Sequence, residues 1–370
     1  MRAAVLHEGA TELVIETIRH TPLAVREVKV ITAACGLCHS DLHVLDGVLD
    51  RPRPHVLGHE AAGVVAEIGQ GVTSVAVGDH VVTCLVQGCG ECRRCAGGEP
   101  ALCTSPTATR RPAGQPSRLE TADGTPITGF SNVGALTEVM VVDERALTSI
   151  PHDVPLDLAS ILGCAVVTGL GAVFNVAGVA PGESVAVLGC GGVGLNIVQA
   201  ARIAGAGQII AVDMSAAKLT AAQSMGATHT VDAGAGDALD AVDAVRAISD
   251  GGVDHAFEVI GRPATAQQAL AMAADGRNAY VVGVMGDQAM IEVPAVATKR
   301  GKSLRGVLMG STQPRVDIPR YVELWRTGQL DLASMVNRRL PLDEVNEGFR
   351  ALAAGEVNRA VVVFGQEGTT

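Results

Sequence analysis

The sequence predicts an α/β fold in which a β-rich part precedes a doubly wound parallel sheet of six strands. A length of 370 residues suits two domains better than one. With 48% hydrophobic residues but only 2% aromatics, the core must be built from small aliphatic side chains. The main indication of the fold is a change in the pattern of predicted elements near residue 165, from short strand-like runs to strands that alternate with helices.

Short alternating or apolar runs in residues 1–155 predict strands, because glycine, proline and aspartate interrupt them. They include REVKVITAA (26–34), AAGVVAEIG (61–69) and DHVVTCLV (79–86). This part is therefore expected to be β-rich.

The second part alternates strand-like and helical runs, as parallel strands with crossover helices require. The strand-like runs are SVAVLG (184–189), QIIAVD (208–213), THTVDA (228–233), VDHAFEVIG (253–261), NAYVVGVMG (278–286) and SLRGVLMG (303–310). Helical runs follow the first two strands, at 194–206 and 216–227, and the tail adds two amphipathic helices (319–330 and 342–355) and a strand (359–364).

Charge and hydropathy exclude two kinds of partner. The net charge of −11, with no basic run longer than two residues, argues against a nucleic-acid partner. MRAAVLHEGA lacks the regions of a secretory signal. Residues 158–180 are apolar and uncharged, but glycines and Asn175 interrupt them, so we expect buried core and not a membrane span. A cytoplasmic location is expected.

A glycine-rich turn stands directly between a predicted strand and a predicted helix, in SVAVLGCGGVGLNIVQAARIAGAGQIIAVD. Gly189 allows the tight turn, Gly191 lets the backbone approach a pyrophosphate, and Gly194 permits close packing of the helix on the strand. Asp213 ends the next strand, where a carboxylate would bind a ribose diol and repel a 2′-phosphate. This segment predicts dinucleotide binding, with NAD favoured over NADP.

Nine cysteines in a chain without a visible secretory signal favour thiols and metal sites over disulfides. Four of them lie in CGECRRCAGGEPALC at gaps of two, two and seven residues: Cys89, Cys92, Cys95 and Cys103. Four thiolates can close a tetrahedral zinc site that has no open position for a substrate. An iron–sulfur cluster also takes four thiolates, but a chain with a hydride-carrier site needs no electron relay. We therefore expect a structural zinc.

A second group of ligand-type side chains lies in ITAACGLCHSDLH: Cys35, Cys38, His39 and His43. It could be a self-contained zinc site, a redox dithiol, or part of a site whose other members lie far along the chain. Spacing alone leaves these alternatives open.

Several motifs occur in a characteristic order along with the cysteine-rich lobe: GLCHSDLH (36–43), GHEAAG (58–63), GCAVVTGLGAV (163–173) and GCGGVG (189–194). Together they resemble the zinc-dependent medium-chain alcohol dehydrogenases, and within that family the long forms that keep a structural zinc lobe. The resemblance runs over essentially the whole chain.

The resemblance implies two domains. A GroES-like β-barrel catalytic domain would comprise residues 1–165 and 310–370, with the structural zinc lobe at 88–104. A Rossmann domain that binds NAD would comprise residues 166–309. Two Zn²⁺ per chain are implied.

The resemblance also implies a catalytic zinc held by Cys38, His59 and Cys164, with the fourth position open to the substrate. Asp41 would hydrogen-bond the ligand histidine, and Glu60 would lie behind the zinc.

Ser40 and His43 would form a proton relay, while Cys35 matches no ligand of the family. ITAACGLCHSDLH is then one half of a site, with Cys38 as the ligand. The implied walls of the substrate pocket are apolar: Leu49, Leu85 and Phe130.

The implied contacts to the cofactor come from both predicted domains. Thr168 and Val193 would pack on the nicotinamide, and Lys218 and Arg262 would lie near the adenosine. The full set is His39, Thr168, Gly189, Gly191, Gly192, Val193, Gly194, Asp213, Lys218, Arg262, Val284 and Arg359, with His39 and Arg359 at the pyrophosphate.

The implied reaction is reversible oxidation of primary or secondary alcohols to aldehydes or ketones, by hydride transfer from a zinc-bound alkoxide to NAD. The alternatives are a thiol-dependent formaldehyde-type dehydrogenase of the same family and a non-enzymatic protein that binds zinc and nucleotide. The expected partners are a small alcohol or aldehyde and a second copy of the chain. A homodimer is expected, with a tetramer as the alternative, and neither nucleic acid nor membrane.

Overall fold

The computed structural model describes residues 1–234 and 238–365. They form two compact units. The first unit comprises residues 1–164, 313–326 and the chain from 332 onward, and the second comprises residues 165–312 and 327–331.

The strands are, in chain order, β1 (Arg2–Leu6), β2 (Val14–His20), β3 (Glu27–Gly36), β4 (His55–Val56), β5 (Glu60–Ile68), β6 (His80–Thr83), β7 (Leu119–Thr121), β8 (Pro126–Gly129), β9 (Val139–Asp143), β10 (Leu147–Ile150), β11 (Ser184–Leu188), β12 (Gln208–Asp213), β13 (His229–Asp232), β14 (Val253–Glu258), β15 (Ala273–Val281), β16 (Ser303–Gly306), β17 (Arg338–Leu340) and β18 (Ala360–Val363).

The α-helices are α1 (His39–Leu45), α2 (Arg93–Ala96), α3 (Leu156–Ala159), α4 (Ala165–Gly171), α5 (Gly192–Ile203), α6 (Ala216–Ser224), α7 (Ala238–Ile248), α8 (Pro263–Met272), α9 (Ala295–Lys299), α10 (Pro314–Arg326) and α11 (Val345–Ala353). Shorter helical turns lie at Pro100–Leu102, Phe130–Asn132, Glu144–Ala146, Ser160–Gly163, Ala172–Ala177, Met309–Ser311 and Leu342–Glu344.

The first unit contains a closed barrel and a seven-stranded sheet. The barrel has the strand order β1-β2-β7-β8-β4, and the sheet has the order β10-β6-β5-β3-β18-β17, with β9 also paired to β3. Antiparallel pairing of β3 with β5 sets Gly36 opposite Glu60. The residues that follow β3 and those that precede β5 therefore lie side by side at the same end of these two strands. Cys38 belongs to the first stretch and His59 to the second.

The second unit is built on six parallel strands in the order β13-β12-β11-β14-β15-β16. The strand order reverses at β11, and a doubly wound sheet binds its ligands beyond the carboxyl ends of the strands at such a point. The apolar runs that predict β11 and β12 are almost wholly buried, as expected for central strands covered on both faces. The predicted α/β class, with a doubly wound six-stranded sheet, is confirmed.

Two elements begin five residues before their predicted starts. Strand β15 begins at Ala273, directly after α8, instead of near residue 278. Helix α10 begins at Pro314 and not at Pro319, which lies inside it. Pro314 occupies a first-turn position, where a missing N–H leaves no hydrogen bond unmade. The Asp317 carboxylate accepts the backbone N–H of Gln313 at 2.8 Å and closes the start of the helix.

Within the described ranges, no single helix is long and apolar enough to cross a bilayer. The neighbouring helical segments Leu156–Gly163 and Ala165–Ala177 would satisfy that criterion only if they were joined. Residues 158–173 are all buried.

A buried ion cluster joins β3 to the loop before β7 in the first unit. Glu27 is 2% exposed, and its carboxylate accepts from Arg118 Nε at 2.7 Å, from Arg111 Nε at 2.9 Å and from the backbone N–H of Ala24 at 2.8 Å. Burial by itself would raise the pKa of Glu27, but the hydrogen bonds from the two guanidinium groups outweigh it and lower the pKa to about 2. The ionised form is therefore strongly stabilised in the folded state.

Replacement of Glu27 by glutamine is expected to lower the free energy of unfolding near pH 7 by about 3 kcal/mol, because two arginines lose their shared partner. A depressed carboxyl pKa stabilises the fold above the pKa of the unfolded chain. The difference in free energy of unfolding between the wild type and Glu27→Gln should therefore decrease by roughly 1–2 kcal/mol between pH 4 and pH 3. Urea unfolding across this range measures both. Glu12→Gln, which removes an exposed ion pair with Arg350, should change stability little, and equal effects of the two variants would contradict the role of Glu27.

Candidate active site

Four potential metal ligands from separate stretches of the first unit meet in one buried cluster: Cys38, His59, Glu60 and Cys164. One donor atom of each lies within 4.8 Å of the others. Cys38 directly precedes α1, His59 and Glu60 stand at the start of β5, and Cys164 follows the helical turn Ser160–Gly163. The cluster contains the three residues that the sequence resemblance assigns to a catalytic zinc.

Two glycines make this close approach sterically feasible. A Cβ on Gly163 would lie 1.6 Å from the carbonyl oxygen of Thr83, and a Cβ on Gly36 would lie 2.6 Å from Glu60 Oε2. Any side chain at either position would force a neighbour to move. The glycine before Cys164 therefore lets that segment pack directly against the end of β6.

His59 is oriented by Asp41. The Asp41 oxygens lie 3.1 and 3.2 Å from His59 Nδ1, and Oδ1 also accepts the backbone N–H of Gly58 at 2.8 Å. A carboxylate against Nδ1 holds a proton on that nitrogen, which leaves the lone pair on Nε2. His59 Nε2 is buried and has no hydrogen-bond partner among the described residues. It is therefore available to a metal ion.

The two thiols of the cluster titrate as a pair. The hydrogen bond between them lowers the pKa of Cys38 well below its ordinary range and raises the pKa of Cys164 well above it. The pair therefore binds one proton tightly when no cation is present. Metal ligation requires thiolates, so a bound cation would take the place of that proton. Two thiols and an imidazole are a donor set that suits zinc.

Glu60 is paired with Arg359, a residue from just before β18. Arg359 Nη2 lies 3.3 Å from Glu60 Oε1, and Arg359 Nη1 donates to the carbonyl oxygen of Leu37 at 3.0 Å. Burial raises the pKa of Glu60 to about 8, although Arg359 acts in the opposite direction. Sequence reasoning missed this pair, since no local pattern links residues so far apart. Arg359 is buried in this structure, and its pyrophosphate contact stays a prediction.

The residues of the expected proton relay lie on one helix. Ser40 Oγ is 3.7 Å from Cys38 Sγ. His43 follows three residues later on α1, so both side chains project from the same helical face. Both are half-buried.

One of the expected pocket walls lies directly against the cluster. The ring of Phe130 meets the ring of His59 edge-on, with centroids 5.2 Å apart, and Phe130 is 5% exposed. Leu49 and Leu85 are half-buried. Phe130 therefore provides an apolar wall beside the metal ligands.

The four lobe cysteines form the second metal-type cluster found among the described residues. Sγ atoms are 3.9 Å apart both in the pair Cys89–Cys95 and in the pair Cys92–Cys103. Zinc–sulfur bonds of about 2.3 Å in a tetrahedron place two sulfurs about 3.8 Å apart, whereas a disulfide needs about 2.05 Å. The separations therefore fit one zinc held by four thiolates.

Backbone N–H groups of the lobe point at its sulfurs. Cys89 Sγ accepts from Cys92 N–H at 3.3 Å, and Cys103 Sγ accepts from the N–H groups of Cys89 and Ser105, both at 3.3 Å. Hydrogen bonds from the backbone N–H groups of Cys95 and Thr104 lower the pKa of Cys92 to about 5. The loop thus stabilises the thiolate form of Cys92, whereas burial raises the pKa of Cys95 to about 12.

In the second unit, the glycine turn after β11 cannot accept side chains at two of its three motif positions. Gly189 has a φ of +97°, and a Cβ there would lie 2.7 Å from Ile260 Cγ1. A Cβ on Gly194 would lie 1.9 Å from the carbonyl oxygen of Gly189. A Cβ on Gly191 would meet nothing within 4 Å, which leaves its backbone open to a ligand at the start of α5.

Asp213, at the end of β12, accepts hydrogen bonds from two turns: the glycine turn after β11 and the turn that follows β12. Its Oδ2 accepts the backbone N–H of Cys190 at 2.8 Å, and its Oδ1 accepts that of Ser215 at 3.0 Å. Both contacts hold the carboxylate beside the glycine turn. Each oxygen keeps a further lone pair for a ligand.

The other residues expected at the cofactor differ in exposure. Thr168 is buried, with Oγ1 3.7 Å from Met309 Sδ, while Gly192, Val193 and Lys218 are half-buried. His39, Arg262 and Val284 are exposed. Their contacts to a cofactor stay predictions.

Two family models match the chain. The model described as alcohol dehydrogenase GroES-like domain matches residues 25–152, and the model described as zinc-binding dehydrogenase matches residues 192–326.

Solved structures of several relatives are similar over nearly the full length. An alcohol dehydrogenase zinc-binding domain protein from Burkholderia ambifaria is 35% identical, with 99% of each chain covered and a TM-score of 0.93. Benzyl alcohol dehydrogenase from Acinetobacter calcoaceticus is 31% identical, with 98% of this chain and 99% of that chain covered and a TM-score of 0.91. A protein from Sinorhizobium meliloti, described as a zinc-binding dehydrogenase and solved with NADP, is 26% identical, with 98% of each chain covered and a TM-score of 0.78.

Proposed function

The chain belongs to the zinc-dependent medium-chain alcohol dehydrogenase family, and from this premise we propose that it oxidises primary or secondary alcohols reversibly to aldehydes or ketones, with NAD as hydride acceptor and two Zn²⁺ per chain. The observation that carries the proposal is the buried cluster of Cys38, His59 and Cys164, in which His59 Nε2 has no partner within the described part of the chain. Three protein ligands would leave one position for a substrate oxygen.

The chemistry that a bound zinc supplies is Lewis acidity, which lowers the pKa of an alcohol toward neutrality. The residues around the cluster prepare the site for it. Asp41 holds His59 in the tautomer with a free Nε2, and Cys38 and Cys164 offer sulfur ligands once deprotonated. Phe130 excludes water on one side of His59. Water exclusion strengthens the electrostatic interactions inside the site.

The proton of the alcohol must leave a buried site, and we assign that path to Ser40 and then His43. The hydroxyl of Ser40 can accept and donate a proton in turn. Histidine suits the outer position, because its unperturbed pKa of about 6.5 lets it exchange protons with solvent near neutral pH. Support comes from their placement on one face of α1, with Ser40 beside Cys38.

The apolar side chains of Leu49, Leu85 and Phe130 support medium to bulky primary alcohols, aliphatic or aromatic, as substrates. The sequence similarity to a benzyl alcohol dehydrogenase makes benzyl alcohol the first compound to test. The test is alcohol-dependent formation of NADH, scored by kcat/KM over a panel of alcohols, each with and without a low-molecular-weight thiol. Activity without thiol supports the proposal.

The other results of that assay separate the alternatives. Oxidation of formaldehyde that requires thiol would replace the proposal by a thiol-dependent formaldehyde-type dehydrogenase. Binding of NAD with no turnover of any alcohol would leave a protein that binds zinc and nucleotide without catalysis.

The preference for NAD is proposed to rest on Asp213. Replacement of Asp213 by glycine should remove charge-assisted hydrogen bonds to the ribose diol, each of about 1.5–3 kcal/mol, and should relieve repulsion of a 2′-phosphate. The ratio of kcat/KM for NADP to that for NAD is therefore expected to rise at least tenfold, about 1.4 kcal/mol.

Because Asp213 also accepts two backbone N–H groups, Asp213→Asn is the matched control for lost structure. Asparagine keeps one acceptor oxygen but no charge. Asp213→Asn should therefore raise the ratio of kcat/KM for NADP to that for NAD, and it should lose less thermal stability than Asp213→Gly. A ratio that stays at the wild-type value in both variants would show that Asp213 does not contact the ribose.

A homodimer is proposed for the assembly, with a tetramer as the alternative. Strand β16 supports this proposal, because it lies at the edge of the six-stranded sheet and most of its residues are exposed. Sedimentation equilibrium measures the state. The cytoplasmic location stays a prediction.

A further inference from the structure

Two neighbouring strands of the closed barrel, β4 and β8, run parallel and end side by side. In their register, Val56 lies opposite Gly129. The metal-type ligand His59 follows β4, and Phe130 follows β8 directly. The barrel therefore brings the segment that carries His59 and the segment that carries Phe130 to the same end of the two strands.

The turn after β8 is held in an unusual backbone conformation. Ser131 and Asn132 have φ angles of 53° and 60°, in the left-handed region that residues other than glycine rarely adopt. Such conformations persist where the surroundings enforce them, and they concentrate at functional sites. Here Gln87 Nε2 donates to the carbonyl oxygen of Ser131 at 2.8 Å, and Arg118 Nη1 donates to that of Asn132 at 3.1 Å. The backbone next to Phe130 is thus fixed from two sides.

The ring of Phe130 contacts two imidazole rings edge-on. Its centroid lies 5.2 Å from that of His59 and 6.2 Å from that of His55, with interplanar angles of 65° and 69°. Phe130 is 5% exposed and His55 is 3% exposed. Because His55 is so deeply buried, any effect that it has on a substrate must act through Phe130.

Polar contacts on one side of its ring fix the orientation of His55. Nδ1 lies 2.6 Å from Thr128 Oγ1 and 3.2 Å from the carbonyl oxygen of Pro52. Burial lowers the pKa of His55 to about 4, so the ring is neutral near pH 7. Nε2 is buried and has no hydrogen-bond partner among the described residues. A buried polar atom without a partner costs free energy, so the stability of the fold alone does not account for a histidine here.

We propose that His55 is a positioning residue that holds the Phe130 ring against His59, and that this fixed ring makes the site select primary over secondary alcohols. A ring against a metal ligand meets the part of an alcohol nearest to its hydroxyl, where a secondary alcohol carries an additional carbon substituent. One carbon more in an apolar pocket changes kcat/KM by about 10–200-fold. The inference rests on the proposed function, because it requires an alcohol to bind beside His59.

Kinetics with benzyl alcohol and 1-phenylethanol test the selection of substrates. The two compounds differ by one methyl group on the carbon that bears the hydroxyl. The wild type is expected to favour benzyl alcohol in kcat/KM by at least about tenfold. In His55→Ala the Phe130 ring gains room to move away from His59. The preference should therefore fall by about tenfold, through a rise in kcat/KM for 1-phenylethanol, with the metal content unchanged.

NMR of the phenylalanine rings measures how firmly Phe130 is held, independently of activity. The chain has only five phenylalanines, so the metal-loaded protein with ¹³C-labelled phenylalanine rings gives few signals, and Phe130→Leu assigns one of them. A ring in close contact with fixed neighbours flips slowly, because the neighbours must move to let it turn. We expect the flip rate of Phe130 to rise by at least about tenfold in His55→Ala.

Three further variants separate ring positioning from a general loss of packing. His55→Phe keeps an aromatic ring, so the preference and the flip rate should stay within about twofold of the wild type. Thr128→Val removes one contact that orients His55, and it should shift both quantities about threefold in the direction of His55→Ala. Ile18→Ala is the matched control, because Ile18 is buried in β2 of the same barrel. It should lower stability and leave both quantities unchanged.

The outcomes separate this inference from the proposed function. A wild type without preference for benzyl alcohol, or an unchanged flip rate or preference in His55→Ala, would overturn the inference and leave the proposed function standing. An equal shift in Ile18→Ala would overturn it as well. Thr128 is exposed, so Thr128→Val decides if His55→Ala does not fold. If the wild type oxidised no alcohol, the proposed function would fail together with the selection of alcohols, and the flip rate would still decide whether His55 holds Phe130.

Discussion

Replacement of Cys38 by serine is expected to remove one of two metal ions per chain and to lower kcat/KM for alcohols by at least about a thousandfold. A serine hydroxyl is a poor substitute for a thiolate ligand, and the Lewis acid accounts for several kcal/mol of transition-state stabilisation. Elemental analysis of the purified protein and the NADH assay measure the two effects. The fold should survive, because the cluster lies at the end of an intact sheet and the second metal site is untouched.

Cys35→Ala is the matched control for this variant. Cys35 is as deeply buried as Cys38, belongs to the same motif and lies in β3, but it is not a member of the cluster. It should keep both metal ions and most of the activity. If it lost a metal as Cys38→Ser does, the site would be a local Cys-x-x-Cys site and the assignment of Cys164 would be wrong.

Replacement of Cys92 by serine is expected to remove the other metal ion and to unfold the lobe locally. Closed zinc sites contribute folding free energy directly, and apparent values in zinc-finger peptides are on the order of 10 kcal/mol. Arg93 and Arg94 lie on α2 and are exposed, so trypsin should cleave there once the lobe opens. We expect rapid cleavage at this point and a thermal midpoint lowered by about 5–10 °C.

Cys84→Ala is the control for that variant, because Cys84 is a buried cysteine that precedes Cys89 by five residues in the chain and belongs to neither cluster. It should keep both metals and resist trypsin. Any loss of activity in Cys92→Ser should follow the fraction of cleaved protein. A Cys92→Ser protein that lacks the metal yet resists trypsin and melts at the wild-type temperature would contradict a structural role for the lobe.

Much of the second unit can be predicted from sequence because its determinants are local. Strand β12 has the bounds of its apolar run, and β11 differs from its run by one residue. The roles of Gly189 and Gly194 also follow from sequence, since a tight turn between a strand and a helix leaves no space for a Cβ. The start of α10 was less predictable, because the Asp317 carboxylate that closes it acts on a residue outside the predicted segment.

The two candidate metal sites also differ in how far the sequence alone predicts them. The lobe cysteines lie within fifteen residues of one another, so the sequence alone predicts that they form one group. In the structure, the separations of their sulfur atoms fit one zinc. For the other site, spacing alone left a redox dithiol, a local zinc site and a split site open. At the level of sequence, only the resemblance to a known family connected Cys38 with Cys164, and the structure then places both in one cluster.

By itself, the sequence determined the α/β class, the glycine turn with Asp213 and the grouping of the four lobe cysteines, because each of these depends on neighbours in the chain. Only the tertiary structure decided that Arg359 lies against Glu60, and that the ring of Phe130 contacts the rings of both His55 and His59. These contacts depend on how β4, β5, β18 and the turn after β8 pack together. Packing is set by the summed burial of many side chains and leaves no periodic trace in the sequence around any one of them.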